Sequence, residues 1–266
     1  MKRVVVSSSF DDLRSPQMRF LQEAAKLGEV SVVLWPDETV KQFTGSAPEF
    51  PLAERLYTLD AIRYVSRLII PETEYRHGTL PPGEEFDIWV SPRDNDIERA
   101  CCAAAGIEYV VIGEESIGGF PIEDRPLPDG ATSVIVTGCY DWFHSGHIRF
   151  FEEVSELGRV YVVVGNDENV RGLKGEGHPL FSEHERRYIC DSIKYVHQAY
   201  ISSGTGWLDA EPEIRRLHPD RYAVNEDGDK AEKREYCEAH GIEYVVLKRV
   251  PKEGLERRSS TDLRGF

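Results

Sequence analysis

Two consecutive α/β domains, each a parallel sheet flanked by helices, are what the sequence predicts. Three observations carry this: an internal repeat, a strand–helix–strand pattern in both copies, and the punctuation between them. Residues 4–38 lie over residues 134–168 at a constant offset of 130 without a gap. VVVSSSFDDLRSPQMRFLQEAAKLGEVSVVLWPDE thus faces VIVTGCYDWFHSGHIRFFEEVSELGRVYVVVGNDE. Asp11 falls on Asp141, Arg19 on Arg149, Phe20 on Phe150 and Gly28 on Gly158. At an offset of 131, ERLYTLDAIRYV (54–65) lies over ERRYICDSIKYV (185–196), and GIEYVV occurs at both 106–111 and 241–246. Agreement in three ordered blocks is the signature of a duplicated domain.

Each element follows from local pattern. The β-branched runs Val4–Val6 and Val134–Val136 read as buried parallel strands. Each leads through a polar loop into an amphipathic helix, with Ile148, Phe151, Val154 and Leu157 at roughly helical spacing in the second copy. Gly28 and Gly158 are expected to close these helices with a positive φ. Val30–Leu34 and Val160–Val164 supply the next strands, completing a βαβ unit in each copy. Further on, a helix is expected over 183–194, a strand at Ala199–Ile201 and a helix at Glu211–Leu217. Then come a strand at Arg221–Val224, a helix at Lys230–His240 and a last strand at Glu243–Leu247. Gly and Pro crowd residues 114–131, which places the link there and the domains at 1–120 and 132–266. Similar sheets on a short connection suggest packing as an intrachain pseudo-dimer, with further oligomerisation left open.

Composition narrows the function classes. The chain has 266 residues and a formal charge of −15, which argues against a general nucleic-acid binder. No run of about 18 apolar residues is present, so no membrane span is expected. The opening MKRVVVSSSF lacks a signal peptide's apolar stretch, and five cysteines without metal-ligand spacing read as reduced thiols, so a cytoplasmic location is expected.

The copies differ where chemistry is done. The second has GCYDWFHSGH, with His144 and His147, where the first has Arg14 and Gln17, and Pro16 replaces Gly146. Lys174 of GLKGEG faces Thr44 of QFTGSA, and RRSSTDLR (257–264) has no counterpart. Loops after parallel strands sit at the sheet's carboxyl edge, where open α/β proteins bind ligands. Gly138 is expected to let a ligand approach the backbone, and the following helix start to offer free N–H groups. His144 and His147, three apart, fall on one face of a first turn and can donate to phosphate oxygens. Lys174 adds a mobile charge, and Ser259, Ser260 and Thr261 add hydroxyl and backbone donors. The set suits a triphosphate. Two close histidines also suit a metal, but nothing nearby completes a ligand set, and no metal ligands are assigned.

The pattern G-x-[FY]-D-x-x-H-x-G-H, met by Gly138, Tyr140, Asp141, His144, Gly146 and His147, resembles that of the cytidylyltransferase-like branch of the HxGH nucleotidyltransferases. LKGEGHP (173–179) resembles the group's lysine loop, EHERRYICDSIKYV (183–196) its arginine helix, and RSSTDL (258–263) its Ser/Thr segment. The resemblance covers nearly all of 132–266, and a degenerate echo covers 1–113. It implies tandem Rossmann-like domains of which only the second is catalytic. His144, His147, Lys174 and Arg186 would be catalytic. Nucleotide contacts would come from Gly138, Cys139, Tyr140, Asp141, Gly146, Asp167, Arg187, Asn225, Asp227, Arg258, Ser259, Ser260 and Thr261. Mg2+ would accompany the nucleotide. Trp142, Arg149 and Trp207 are candidates for the acceptor, and Arg55 of the first copy for reaching the active site. His197 departs from the group, which has aspartate there. The implied reaction transfers CMP from CTP to a small phosphorylated acceptor with release of pyrophosphate. Adenylyl transfer from ATP, and non-catalytic nucleotide binding by a regulatory or scaffold protein, are the alternatives.

Overall fold

In a computed structural model that describes residues 1–71, 78–126 and 128–260, the chain divides into two compact units, Met1–Gly119 and Phe120–Phe266. The first contains β1 (Arg3–Ser8), α1 (Ser15–Ala25), β2 (Glu29–Leu34), α2 (Asp37–Thr44) and α3 (Leu52–Asp60), followed by β3 (Arg67–Ile69), β4 (Ile88–Ser91), α4 (Asp96–Ala105) and β5 (Glu108–Val111). The second contains β6 (Ser133–Gly138), α5 (Ser145–Ser155), β7 (Arg159–Val164), α6 (Asp167–Lys174) and α7 (Glu183–Asp191), followed by β8 (Val196–Ile201), α8 (Glu211–Leu217), β9 (Arg221–Asn225), α9 (Ala231–His240) and β10 (Glu243–Leu247).

The two sheets have the same topology, β3-β2-β1-β4-β5 and β10-β9-β6-β7-β8, with every pairing parallel. Val134, Ile135 and Val136 of the central strand are fully buried, as continuous β-branched runs in two-sided sheets should be. The order reverses at β6: the chain runs outward through β7 to β8, then crosses back to β9. Right-handed crossovers in opposite directions put their helices on opposite faces. Accordingly α8 and α9 pack through Ile214 and Cys237 against Ile135, Tyr161, Val163 and Tyr222. The crevice beside β6, between β6 and β9, is therefore a topological switch point.

Four expectations shift. The helix foreseen over 183–194 ends at Asp191 because β8 begins at Val196, earlier than expected. Lys174 is not in a loop but is the last residue of α6, which Gly175 ends at φ 88°. Residues 120–126, expected as linker, fasten to the second unit: Arg125 pairs with Asp191 and donates to the His197 carbonyl, and the Phe120 and Tyr188 rings lie 5.8 Å apart. Finally, Gly28 has no positive φ. A β-carbon on Gly28 would come within 2.1 Å of the Lys2 carbonyl oxygen, and one on Gly158 within 2.6 Å of the Thr132 oxygen. Both glycines let the turn before the second strand pass against the start of the first. Gly28→Ala is expected to destabilise the first unit by about 1–3 kcal/mol through this collision, measurable by chemical denaturation. An unchanged midpoint would mean that the turn yields freely.

Candidate active site

The loop after β6 builds the densest constellation. His144 is the N-cap of α5, buried, and its Nδ1 accepts the Gly146 amide at 3.0 Å. An accepting Nδ1 assigns the proton of the neutral ring to Nε2. Gly146 is required here because a β-carbon would come within 2.8 Å of the His144 ring. Pro16, its counterpart, has no amide hydrogen to donate. In the first unit the Arg14 amide instead donates to Gln17 Oε1 at 3.0 Å. One turn into α5, the His147 ring stacks on His144 with centroids 4.0 Å apart and on Phe143 at 5.3 Å. Tyr140 meets it edge-on at 5.4 Å.

Tyr140 holds φ 52°, and Phe10 holds φ 43° at the matching position, so the bent turn belongs to both copies. Gly138 serves this turn: a β-carbon there would meet the Tyr140 ring at 2.8 Å. Close ligand approach is therefore not the first demand on this glycine.

His147 Nδ1 is buried and makes no hydrogen bond among the described residues. Desolvation, then His144, Arg249 and Lys174, holds the imidazole well below its ordinary value, so it is neutral near pH 7. A group neutral when folded but protonated when unfolded costs stability as pH falls below the unfolded value of about 6.5. The second unit is expected to lose stability from pH 7 to pH 5, and His147→Gln to flatten that dependence. Denaturant midpoints across this range are the measurement. The same slope in the variant would show that His147 is not the group responsible.

Beside the histidines lies a cleft of about 390 Å³, open mouth included. Ser145 and Gly146 of α5, Arg149, Asn225 at the end of β9 and residues 249–252 and 255–258 line it. Arg149, Arg249, Lys252, Arg257 and Arg258 face it against Glu153 and Glu256, which makes it basic in an acidic chain. The side-chain oxygen of Asn225 is buried with no hydrogen-bond partner among the described residues. Arg249 pairs with Asp227 and donates to the Arg258 carbonyl at 3.4 Å. Lys252 bonds Glu152 of α5 at 2.6 Å, and Ser260 Oγ donates to the Trp142 carbonyl at 3.1 Å. These ties lay residues 249–260 over the start of α5, near His144. Ser259 lies on this segment, and Thr261 lies outside the described residues. Lys174 is exposed yet close enough to influence His147. Sequence reading missed Arg249 and Lys252. Their signal was position alone, just beyond the last parallel strand.

Several expected contacts are framework. Arg186 is fully buried and donates to the carbonyls of Phe181, Cys139 and Gly165 at 2.9, 2.6 and 2.8 Å, and to Asp167 at 2.7 Å. Arg55 repeats this with Phe50, Ser9, Trp35 and Asp37 at 3.0, 2.6, 2.9 and 2.6 Å. The guanidinium of Arg186, expected among the catalytic groups, thus ties three loops together. Arg55 is likewise buried within its own unit, which removes it as a reaching residue. Asp141 accepts the Leu180 and Phe181 amides at 2.7 and 3.1 Å, as Asp11 accepts those of Glu49 and Phe50 at 2.7 and 2.9 Å. Asp141, 4% exposed, is thus a loop clamp. Asp167 and Cys139 serve the Arg186 clamp. Arg149 pairs with Glu152 and Glu153, matching Arg19 with Glu23. Arg187 is partly buried, and its Nε has no hydrogen-bond partner among the described residues. Trp142 packs on Phe181 at 5.7 Å, whereas Trp207 is 48% exposed beyond edge strand β8, apart from the cleft.

No group of three or more His, Cys, Asp or Glu among the described residues could hold a metal ion. Among the described residues the carboxylates nearest the histidine loop, Asp141 and Asp167, are already committed, so magnesium would be carried by the nucleotide's own phosphates. No helix among the described residues is long and apolar enough to cross a membrane.

Comparison with known proteins agrees with the geometry. Residues 135–265 match the family described as cytidylyltransferase-like. The FAD synthase of Thermococcus kodakarensis is 35% identical over 121 residues, 44% of this chain and 78% of that protein. Further FAD synthases match at 30% to 35% identity. The bifunctional protein HldE of Desulfatibacillum aliphaticivorans is 39% identical over 92 residues, 34% of this chain and 18% of that one. The ethanolamine-phosphate cytidylyltransferase of Mus musculus is 33% identical over 101 residues, 37% of this chain and 25% of that one. A histidine pair at a helix start, a basic cleft beside it and these relatives converge: the chain belongs to the cytidylyltransferase-like family, and its second half is a nucleotidyltransferase-type enzymatic domain.

Proposed function

We propose that the second unit transfers a nucleoside monophosphate from ATP to a small phosphorylated acceptor, releasing pyrophosphate. The observation that carries this reading is the stacked pair His144–His147 at the start of α5, beside a basic cleft that Ser145 and Gly146 border. The first unit has Arg14 and Gln17 in their place, and we assign it a non-catalytic role. His144, His147 and Lys174 face the triphosphate, with Ser259 and Ser260 closing over it. Asn225, Arg249 and Arg258 hold the nucleoside side of the cleft.

An acceptor phosphate oxygen attacks the α-phosphorus. As that bond forms, the bond from phosphorus to the bridging oxygen breaks, and pyrophosphate leaves with the electron pair. A phosphate monoester is already anionic near neutral pH, so no base is needed, and rate comes from positioning and charge stabilisation. ATP replaces CTP as the favoured donor because FAD synthases recur among the relatives, a name that implies an adenylyl product. Cytidylyl transfer is the second reading, favoured by the mouse relative.

Pyrophosphate release should be measured with ATP and CTP, each against sugar, polyol, amino-alcohol and flavin phosphates. Release with ATP and one phosphate class is the expected result. Tight nucleotide binding without release across the panel would replace this reading with a binding protein, and consumption of a dephosphorylated acceptor would replace the nucleophile.

A further inference from the structure

The duplicated units differ at a second place, on the opposite face of the sheet from α5. Trp35 and Gly165 occupy equivalent positions: the Trp35 amide donates to the Ser8 carbonyl at 3.2 Å, and the Gly165 amide to the Gly138 carbonyl at 3.0 Å. In the first unit the Trp35 indole lies over the end of the sheet, donating to Ser7 Oγ at 2.8 Å and packing 5.4 Å from Phe43. In the second unit there is no side chain at this position. A β-carbon on Gly165 would come within 3.1 Å of the Val170 side chain and 3.3 Å of the Asp209 carboxylate, so these two groups close on the backbone where the first unit carries its indole.

Polar groups gather around it. Thr137, the counterpart of Ser7, hydrogen-bonds Tyr222 hydroxyl to hydroxyl at 2.7 Å. Tyr222 stands where the first unit has Trp89, since both pair with the middle of the central strand. Asp209 accepts Ser202 Oγ at 2.6 Å. Lys233, in the first turn of α9, lies with its nitrogen 5.6 Å from the Tyr222 ring centroid. It is partly buried, and among the described residues its ammonium has no hydrogen bond or ion pair. The charged groups around it are Lys230, Asp209 and Asp229, and burial lowers its pKa. A partly buried cation over a π face, with Asp209 and Asp229 near it but neither ion-paired to it, has donors left for a further anion.

We propose that Lys233 binds the phosphate of the acceptor, while Asp209 takes a hydroxyl or amine hydrogen of the same molecule beside Gly165, which carries no indole to cover the sheet's end. This rests on the transfer reading above for its meaning but not for its test. It places acceptor phosphate and nucleotide pyrophosphate on opposite faces of the sheet at the end of β6. That separation is compatible with in-line displacement, which needs nucleophile and leaving group on opposite sides of the α-phosphorus. The acceptor class is then a phosphate monoester carrying a hydrogen-bond donor near its phosphate, such as a polyol or amino-alcohol phosphate. In the first unit Trp35 fills the equivalent space.

The test is calorimetric binding of inorganic phosphate and of glycerol 3-phosphate to the full chain saturated with a non-hydrolysable ATP analogue. Lys233→Met keeps the stem over Tyr222 and removes the charge. It is expected to weaken both probes by about 10- to 100-fold, the size of a lost charge-assisted hydrogen bond, with analogue affinity unchanged. Gly165→Trp, imitating the first unit, is expected to abolish glycerol 3-phosphate binding. Equal binding of the probes by wild type and Lys233→Met overturns the site, as does absence of binding in wild type. Should binding depend on Lys233 while no acceptor turns over, the site stands and the transfer reading falls.

Discussion

Replacing His144 with alanine is expected to lower pyrophosphate release by about 10²–10³-fold, the typical loss when one preorganised donor to developing charge is removed. Donation is set up before substrate arrives. The Gly146 amide occupies Nδ1 at 3.0 Å, which fixes the ring and leaves Nε2 as the proton-bearing nitrogen. The fold should survive, because the first unit forms the matching helix with Arg14 at this position. The discriminating measurement pairs turnover with the unfolding midpoint of the same preparation. Near-wild-type turnover would remove His144 from the chemistry, and a collapsed midpoint would make it a structural cap.

Arg186→Met is expected to act the other way, costing the second unit about 3–5 kcal/mol, the range for breaking a buried charged network by removing one partner. The carbonyls of Cys139, Gly165 and Phe181 and the Asp167 carboxylate would lose their shared donor. Arg55→Met should cost the first unit a similar amount, because the same four acceptor positions surround it. Denaturant unfolding of each variant, followed unit by unit, is the check. A stable Arg186→Met protein that had lost only turnover would return this arginine to the nucleotide.

The duplication made much of the fold legible. Runs such as VVV and VIV admit one reading as buried strands, and the repeat fixed their correspondence before any helix was considered. It also separated His144, His147 and Lys174 from the scaffold, because framework demands act on both copies and ligand demands on one. The same comparison, applied to Arg55 and Arg186 or Asp11 and Asp141, would have marked these pairs as framework, since each is present in the copy that lacks the histidines.

What the sequence determined by itself is the pair of parallel α/β units and the histidine-bearing turn, since both follow from local periodicity and from differences at fixed offsets. Only the tertiary structure decided which polar side chains are spent on the protein's own backbone and which are left for a ligand. Hydrogen-bond satisfaction depends on partners such as Cys139 and Arg186, or Asp141 and Leu180, that are far apart in the chain. It also brought Arg249 and Asn225 to one cleft and set Lys233 over Tyr222, because adjacency in a sheet follows strand order rather than chain order.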